Sequence, residues 1–443
     1  MKDIAMNKTT NRIFSAFRGV LVCGTLLLAV QTARAVEIEE VVSPKGVKAW
    51  LMNDPTDQMI VISFSFNGGS LQDPQGKEGL TELMSNLLDK GAGDLDRDAF
   101  ASRLYATGTS FSFRANSDQV NGSIRLLKGE EKEPLELLAL ALKAPRFDQD
   151  DIDLAKGVMI AALEEAKNDP DEQGWQQFNK EFYGRHPLAA IATPESVQGI
   201  AREDLVARHR ALFARSNLTV GVAGNIDREE LTKVLDELFG DLPETAEVEP
   251  VPAPEPRFGI SVHQPYDRPQ TSIALVYPGL SRESPEIYAA NVLTNLLGGG
   301  MTSRLFRELR EKRGLTYGAN AFNDFEDGWG LIYVSTSTRA DSASEAMKMA
   351  ETVMKQAAEG DISQQEVDDA KAFLKGSVVI GALDSTSQIA RTLVSLQRNN
   401  RPIDYLDQLN DLYDAVTIDD VKAIAAKLLS SKPAVLVVGR EDG

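Results

Sequence analysis

Residues 76–93 read GKEGLTELMSNLLDKGAG. Leu80, Leu83, Met84, Leu87 and Leu88 recur at i, i+3, i+4, i+7 and i+8, which is the stripe of a helix lying on a core. The opposite face carries Glu82, Ser85, Asn86 and Asp89. Immediately upstream, MIVISFSFNGG (59–69) is a β-type run closed by a glycine pair. A strand followed by an amphipathic helix is a unit that must repeat or find a partner layer to bury its apolar side.

It does repeat. TSIALVYPG (271–279) is a second β-type run, and 286–297 is a second amphipathic helix. In the first half a helix, a turn and a strand follow in RDAFASRLYATGTSFSFRANSD (97–118). In the second half the same order recurs in SRLFRELREKRGLTYGANAFND (303–324). Helical regions come next, around 149–170 and 364–385. Each half closes on a short strand, within LTVGVAGNID (218–227) and AVLVVGRED (434–442). The pattern predicts an α+β fold of two homologous domains, each a mostly antiparallel sheet with helices packed on one face.

Between the halves, residues 243–257 include Pro243, Pro250, Pro252, Pro254 and Pro256 among glutamates. Such a stretch favours an extended, polyproline-like linker that packs no core. The domain limits are therefore 36–242 and 258–443, with the linker between them.

Residues 1–35 differ in kind. Lys2, Lys8, Arg12 and Arg18 precede an apolar run, GVLVCGTLLLAV (19–30), and ARA (33–35) is a small-residue cleavage site. This is the pattern of a secretory signal peptide cut after Ala35, and the apolar run is far short of the ~20 residues that span a bilayer. A periplasmic or secreted protein without a membrane span is expected. The only cysteine, Cys23, lies inside that segment. The mature chain then has neither disulfides nor thiol chemistry.

At 42% apolar and 26% charged residues, the chain has material for real cores. Its formal charge is −19. Without the first 35 residues, 42 basic side chains stand against 65 acidic ones, giving −23. That balance argues against a nucleic-acid partner, which needs basic patches to neutralise phosphates.

Two stretches carry a family resemblance, which spans essentially the whole mature chain. FNGGSLQDPQGKEGLTELMSNLLDKGAG (66–93) and LLGGGMTSRLFRELREKRGLTYGANAF (296–322) resemble the M16 peptidase family, the group of pitrilysin and the mitochondrial processing peptidase. The second stretch is the more specific. The resemblance implies a two-domain chain that is one half of a clamshell around a peptide chamber. In the family's zinc-bearing members the first helix reads H-x-x-E-H. That frame places the first ligand at Glu82, the general base at Ser85 and the second ligand at Asn86. The distal carboxylate ligand falls on Glu165, with Glu164 beside it.

None of Glu82, Ser85 and Asn86 has the chemistry that zinc hydrolysis requires, namely two imidazoles and a carboxylate base. Asp73 and Glu82 flank the position, but a carboxylate-only zinc site would be unusual. His186, His209 and His263 are too scattered to show metal-ligand spacing. No metal or cofactor is therefore expected in this chain; zinc is expected in a partner subunit.

The second stretch keeps its residues. The resemblance implies that Arg310 and Tyr317 contact substrate backbone near the scissile bond and help stabilise the oxyanion. The run Gly298-Gly299-Gly300 lacks a Walker lysine and reads as a tight turn before a helix capped by Thr302 or Ser303.

Three functions follow as expectations. The first is a non-catalytic subunit of a heterodimeric zinc peptidase, supplying Arg310 and Tyr317 in trans to a zinc-bearing partner acting on peptides. The second is a structural or assembly protein with no part in proteolysis. The third, an independent peptidase, needs a nucleophile or metal constellation that the sequence does not offer.

Overall fold

The computed structural model describes residues 37–440; the signal segment, with Cys23 and Ala35, lies outside them. Among the described residues eleven strands form two sheets. The first takes β1 (Ile38–Val42), β2 (Lys48–Asn53), β3 (Met59–Asn67), β4 (Phe111–Ala115), β5 (Gln119–Leu127) and β6 (Leu218–Gly224) in the order β1-β2-β6-β3-β5-β4. The second takes β7 (Ser261–Pro265), β8 (Gln270–Pro278), β9 (Thr316–Glu326), β10 (Trp329–Arg339) and β11 (Ala434–Gly439) in the order β7-β11-β8-β10-β9. Apart from β1, the orders are superimposable. Each sheet has one parallel pair, β2 with β6 and β7 with β11, among otherwise antiparallel neighbours. The two-domain α+β architecture is as the sequence predicts.

The central strands are buried on both faces. Along β3, Ile60, Ile62, Phe64 and Phe66 enter the main core of the first half, where Leu80, Leu83, Met84 and Leu87 of the quoted helix meet them. Along β8, Ile273, Leu275 and Tyr277 do the same in the second half, beneath Val292, Leu293 and Leu297. Both are the period-two alternation of a strand.

The opposite face of each sheet is covered by a helix of the other half. Helix Pro170–Tyr183, from the first half, packs on β7 and β11 of the second sheet. Its Phe178 and Phe182 close a separate cluster with Ala274, Val276, Leu436 and Val438. Helix Thr386–Arg398, from the second half, packs on β3 and β6 of the first sheet, where Leu393 and Leu396 meet Trp50, Val61 and Ala223. Each half thus roofs the other. The approach is close: a Cβ on Gly221 of β6 would lie 2.3 Å from the Ala390 carbonyl oxygen, so only glycine admits this helix. Ionic contacts tie both roofs down. Arg268 donates to both oxygens of Asp171 at 2.5 and 2.8 Å, and Arg398 donates to Asp118 at 2.7 Å.

Residues 243–257 form neither helix nor strand, in keeping with their prolines, but they do pack. Val248 rests on the first core and Pro254 is buried. The backbone is stitched to its surroundings: Arg215 N–H donates to Pro243 O at 2.8 Å, Glu247 N–H to Ala211 O at 2.9 Å, and Arg257 N–H to Phe182 O at 2.9 Å. Proline removes only its own donor; the residues between the prolines still donate and every carbonyl can still accept, so an extended segment pairs with its surroundings.

Candidate functional site

Arg310 lies on a π-helical segment, Phe306–Glu311, in which the N–H of Lys312 reaches back five residues to Arg307 O at 3.0 Å. Leu309 and Leu315, both buried, pin this turn to the core, and Leu315 N–H donates to Leu309 O at 2.8 Å. Gly314, at φ 64°, reverses the chain between them. Just beyond, the β9–β10 ladder slips. Ala319 faces Thr336 and Thr316 faces Thr338, so Tyr317 and Gly318 together oppose Ser337. This is a β-bulge, and Thr316 Oγ1 fixes it by donating to Gly318 O and Ser337 O at 2.7 Å each. A π turn and a bulge, both local departures that re-aim side chains, bring the two residues together. The Arg310 guanidinium carbon lies 5.1 Å from the centre of the Tyr317 ring.

The charges around this pair are already matched. Arg304 donates to both oxygens of Glu366 at 2.6 Å. Burial works against the Glu366 carboxylate, yet hydrogen bonds from Arg304 and Ser363 outweigh it and hold its pKa at about 2. Glu308 accepts from Lys312 and Arg313 at 2.6 and 2.7 Å. The Arg310 guanidinium, by contrast, touches only the Tyr317 ring among the described residues, and Tyr317 is 78% exposed. A permanent cation and a phenol are thus presented side by side with their hydrogen-bonding capacity unspent.

In the first half, the positions 82, 85, 86 and 165 do not assemble a metal site. Ser85 is buried, and its hydroxyl donates to Glu82 O at 2.9 Å, back along its own helix. Glu82 and Asn86 are on the exposed side of helix Leu80–Leu87, and Glu165 is exposed on helix Gln149–Ala166. Among the described residues no group of three or more His, Cys, Asp or Glu side chains converges as a metal would require. With a hydroxyl, an amide and no imidazole, this donor set does not fit zinc.

What the structure gathers there instead is a buried polar network. Asp73 accepts from Gly79 N–H at 3.0 Å, from Thr81 N–H at 3.1 Å and from the Thr81 hydroxyl. Arg208, 9% exposed, donates to Thr81 Oγ1 and to Gly69 O, each at 2.8 Å. Burial pushes the Asp73 pKa up against these hydrogen bonds and the nearby guanidinium. Glu82 reaches solvent, but the walls of the cleft around its carboxylate desolvate it in part and raise its pKa too, with the Asp73 charge adding to it. The two carboxylates face a cleft of about 810 Å³ whose far wall includes Arg185 and His186. Asp73 was visible in the sequence; Arg208, far along the chain, carried no signal there.

The histidines are engaged elsewhere. His186 accepts from Leu188 N–H at 3.2 Å through Nδ1, so Nε2 is the nitrogen that donates to Pro252 O at 2.8 Å. His263 Nε2 donates to Gly439 O at 2.9 Å. His209 donates to Leu142 O at 3.1 Å and stacks on Phe213 at 4.4 Å, and burial lowers its pKa to about 4. The native state therefore resists protonation at His209 while the unfolded chain does not. Stability is fully present above the unfolded value of about 6.5 and falls as pH drops from there toward 4, by on the order of 3 kcal/mol at most. Urea unfolding across that range should show the loss, and His209→Gln should flatten it.

The glycine run before the π segment ends in a cap: Ser303 Oγ accepts from Phe306 N–H at 3.4 Å, and only Gly300 of the three has a left-handed φ.

Residues 48–194 match the family model described as insulinase (peptidase family M16), and residues 199–374 match the model described as peptidase M16 inactive domain. The second span starts ahead of β6, which the fold assigns to the first sheet. A protein of Helicobacter pylori named non-peptidase homolog YmxG is 27% identical over 324 residues, covering 71% of this chain and 74% of that one. An uncharacterized zinc protease of Streptomyces coelicolor is 24% identical over 409 residues, covering 89% and 88%. The crystal structure of a peptidase M16 inactive domain from Pseudomonas fluorescens superimposes with a TM-score of 0.84 at 26% identity, over 91% of this chain and 98% of that one.

Proposed function

Since the chain belongs to the M16 peptidase family, as a member without its zinc residues, we propose that it is the non-catalytic subunit of a two-chain zinc peptidase. On this reading it supplies Arg310 and Tyr317 in trans to a zinc-bearing partner of the same family. The observation that carries the proposal is the exposed Arg310–Tyr317 pair, held by a π turn and a bulge and hydrogen-bonded to no other side chain among the described residues. Zinc in the partner would polarise the scissile carbonyl and activate water. The work of this chain is to hold donors. The guanidinium binds substrate carbonyls without ever losing its charge. The phenol, set beside a cation, donates to oxygen as negative charge develops on it. Residues 82, 85 and 86 then have no chemistry to perform, and their helix is retained for its buried stripe.

The complex would act on peptides outside the cytoplasm, a location supported by the basic, apolar and small-residue segments of positions 1–35. The test is to assay peptide hydrolysis by the purified chain alone and after mixing with a zinc-bearing M16 subunit from the same organism. Activity is expected from the mixture and not from this chain. Chelator-sensitive hydrolysis by this chain alone would overturn the reading.

A further inference from the structure

The two roofed sheets each carry a pocket beside the covering helix, and the pockets differ in charge. On the second sheet a cavity of about 380 Å³ is lined by Ser272, Asn320, Ser335 and Ser337, with Asp171 and Trp175 from helix Pro170–Tyr183. Asp171 is neutralised there by both hydrogen bonds from Arg268. On the first sheet the corresponding cavity, about 400 Å³, is also floored by serines. Ser63, Ser123 and Ser112 lie opposite one another across β3, β5 and β4. Its walls, however, carry three arginines: Arg114 from β4, and Arg391 and Arg398 from one face of helix Thr386–Arg398. At the second-half pocket Arg268 is spent on Asp171 and Ser272 and no arginine lines the cavity itself, so the architecture does not require three arginines on its walls.

Two further features indicate an anionic occupant. Arg114 has no hydrogen-bond or ion-pair partner among the described residues. Arg391 donates to the neutral Gln388 at 2.9 Å, and only Arg398 meets a carboxylate, Asp118. On the floor, Ser63 is 4% exposed, yet its hydroxyl finds no hydrogen-bond partner. A buried hydroxyl left unpaired is costly, and one on the floor of a cationic pocket is a donor awaiting an acceptor. In a chain with so large an excess of acid, three arginines around one cavity are a local inversion of sign.

We propose that this pocket binds a carboxylate of an extended peptide, either an Asp or Glu side chain or the chain terminus. β4 is the edge strand of its sheet, so the pocket is open along the side from which a chain can lie down. Arg114 and Arg391 supply the fork geometry that suits a carboxylate, and Ser63 supplies a neutral donor beneath. The inference rests on the function proposed above only in taking a peptide as the carrier of the carboxylate.

The experiment uses this chain alone, so failure of the mixed hydrolysis assay leaves it intact. Three fluorescent hexapeptides are titrated at low salt. One is capped at both ends with a central Glu, one is the same with Gln, and one has Gln and a free C-terminal carboxylate. The Glu peptide, the free-terminus peptide or both should bind about tenfold more tightly than the capped Gln peptide. Which of them does so identifies the source of the carboxylate. The preference should shrink several-fold in Arg114→Ala or Arg391→Ala and vanish in the double variant; both side chains are exposed, so the fold should survive. It should also weaken with added salt. Equal binding of all three peptides, or a preference that persists in the double variant, overturns the proposal.

Discussion

Arg310→Ala is expected to lower kcat of the assembled peptidase by on the order of 10²–10³, the cost of losing one donor to a developing oxyanion. The expectation follows from what Arg310 does not do in the isolated chain. Among the described residues its guanidinium makes no hydrogen bond and no ion pair; the side chain is exposed and rests on an exposed ring. Removing it should therefore leave the thermal unfolding of this subunit within about 0.5 kcal/mol of the parent, as for other surface substitutions. Tyr317→Phe separates the two contributions. It keeps the ring beneath the cation but removes the hydroxyl, so a fall in kcat with the subunit intact assigns the proton donor. Arg310→Lys keeps the charge but loses the planar fork, and should recover only part of the rate. If Arg310→Ala and Tyr317→Ala both leave the mixed assay unchanged, the pair has no part in proteolysis and an assembly role gains the ground.

Phe182→Ala should destabilise the fold by about 3–5 kcal/mol, the usual loss when a buried aromatic is cut to a methyl. Phe182 is fully buried, stacks on Phe178 at 5.0 Å and meets the edge of Phe258 at 5.4 Å. It sits on a helix of the first half but fills the roof of the second sheet, so the cavity opens between the halves rather than within one. Urea unfolding should show the loss in the midpoint. Tyr105→Ala, removing a ring that is 88% exposed, should shift it little.

Much of this fold was legible in the sequence. The alternation in β3 and β8, the stripe on Leu80, Leu83, Met84 and Leu87, and the repeated order of elements are local patterns, and local patterns survive in one dimension. That positions 82, 85 and 86 hold Glu, Ser and Asn, with no imidazole, was legible for the same reason. What escaped is what depends on partners far along the chain. Phe178 and Phe182 look like any helical apolar pair, and nothing in their spacing says that they cover the other half's sheet. Arg208 finds Thr81 and Gly69 only after folding. The π turn under Arg310 and the bulge at Tyr317 are irregularities of hydrogen bonding, with no residue signature beyond the glycines at 314 and 318. The contacts of the linker escaped likewise, because composition does not say which of its N–H and carbonyl groups meet the folded halves.

The exchange of roofs also fixes a timetable. The first sheet is complete once β6 has emerged, but its outer face waits for helix Thr386–Arg398, near the end of the chain. At roughly 5–20 residues per second, synthesis from Gly224 to Arg398 takes about 10–35 s. Throughout that interval Trp50, Val61 and Ala223 have no cover of their own. Whether the chain emerges from a ribosome or from an export channel, the outer face of its first sheet stays open until helix Thr386–Arg398 arrives. The second half meets no such delay, because its roof was made first.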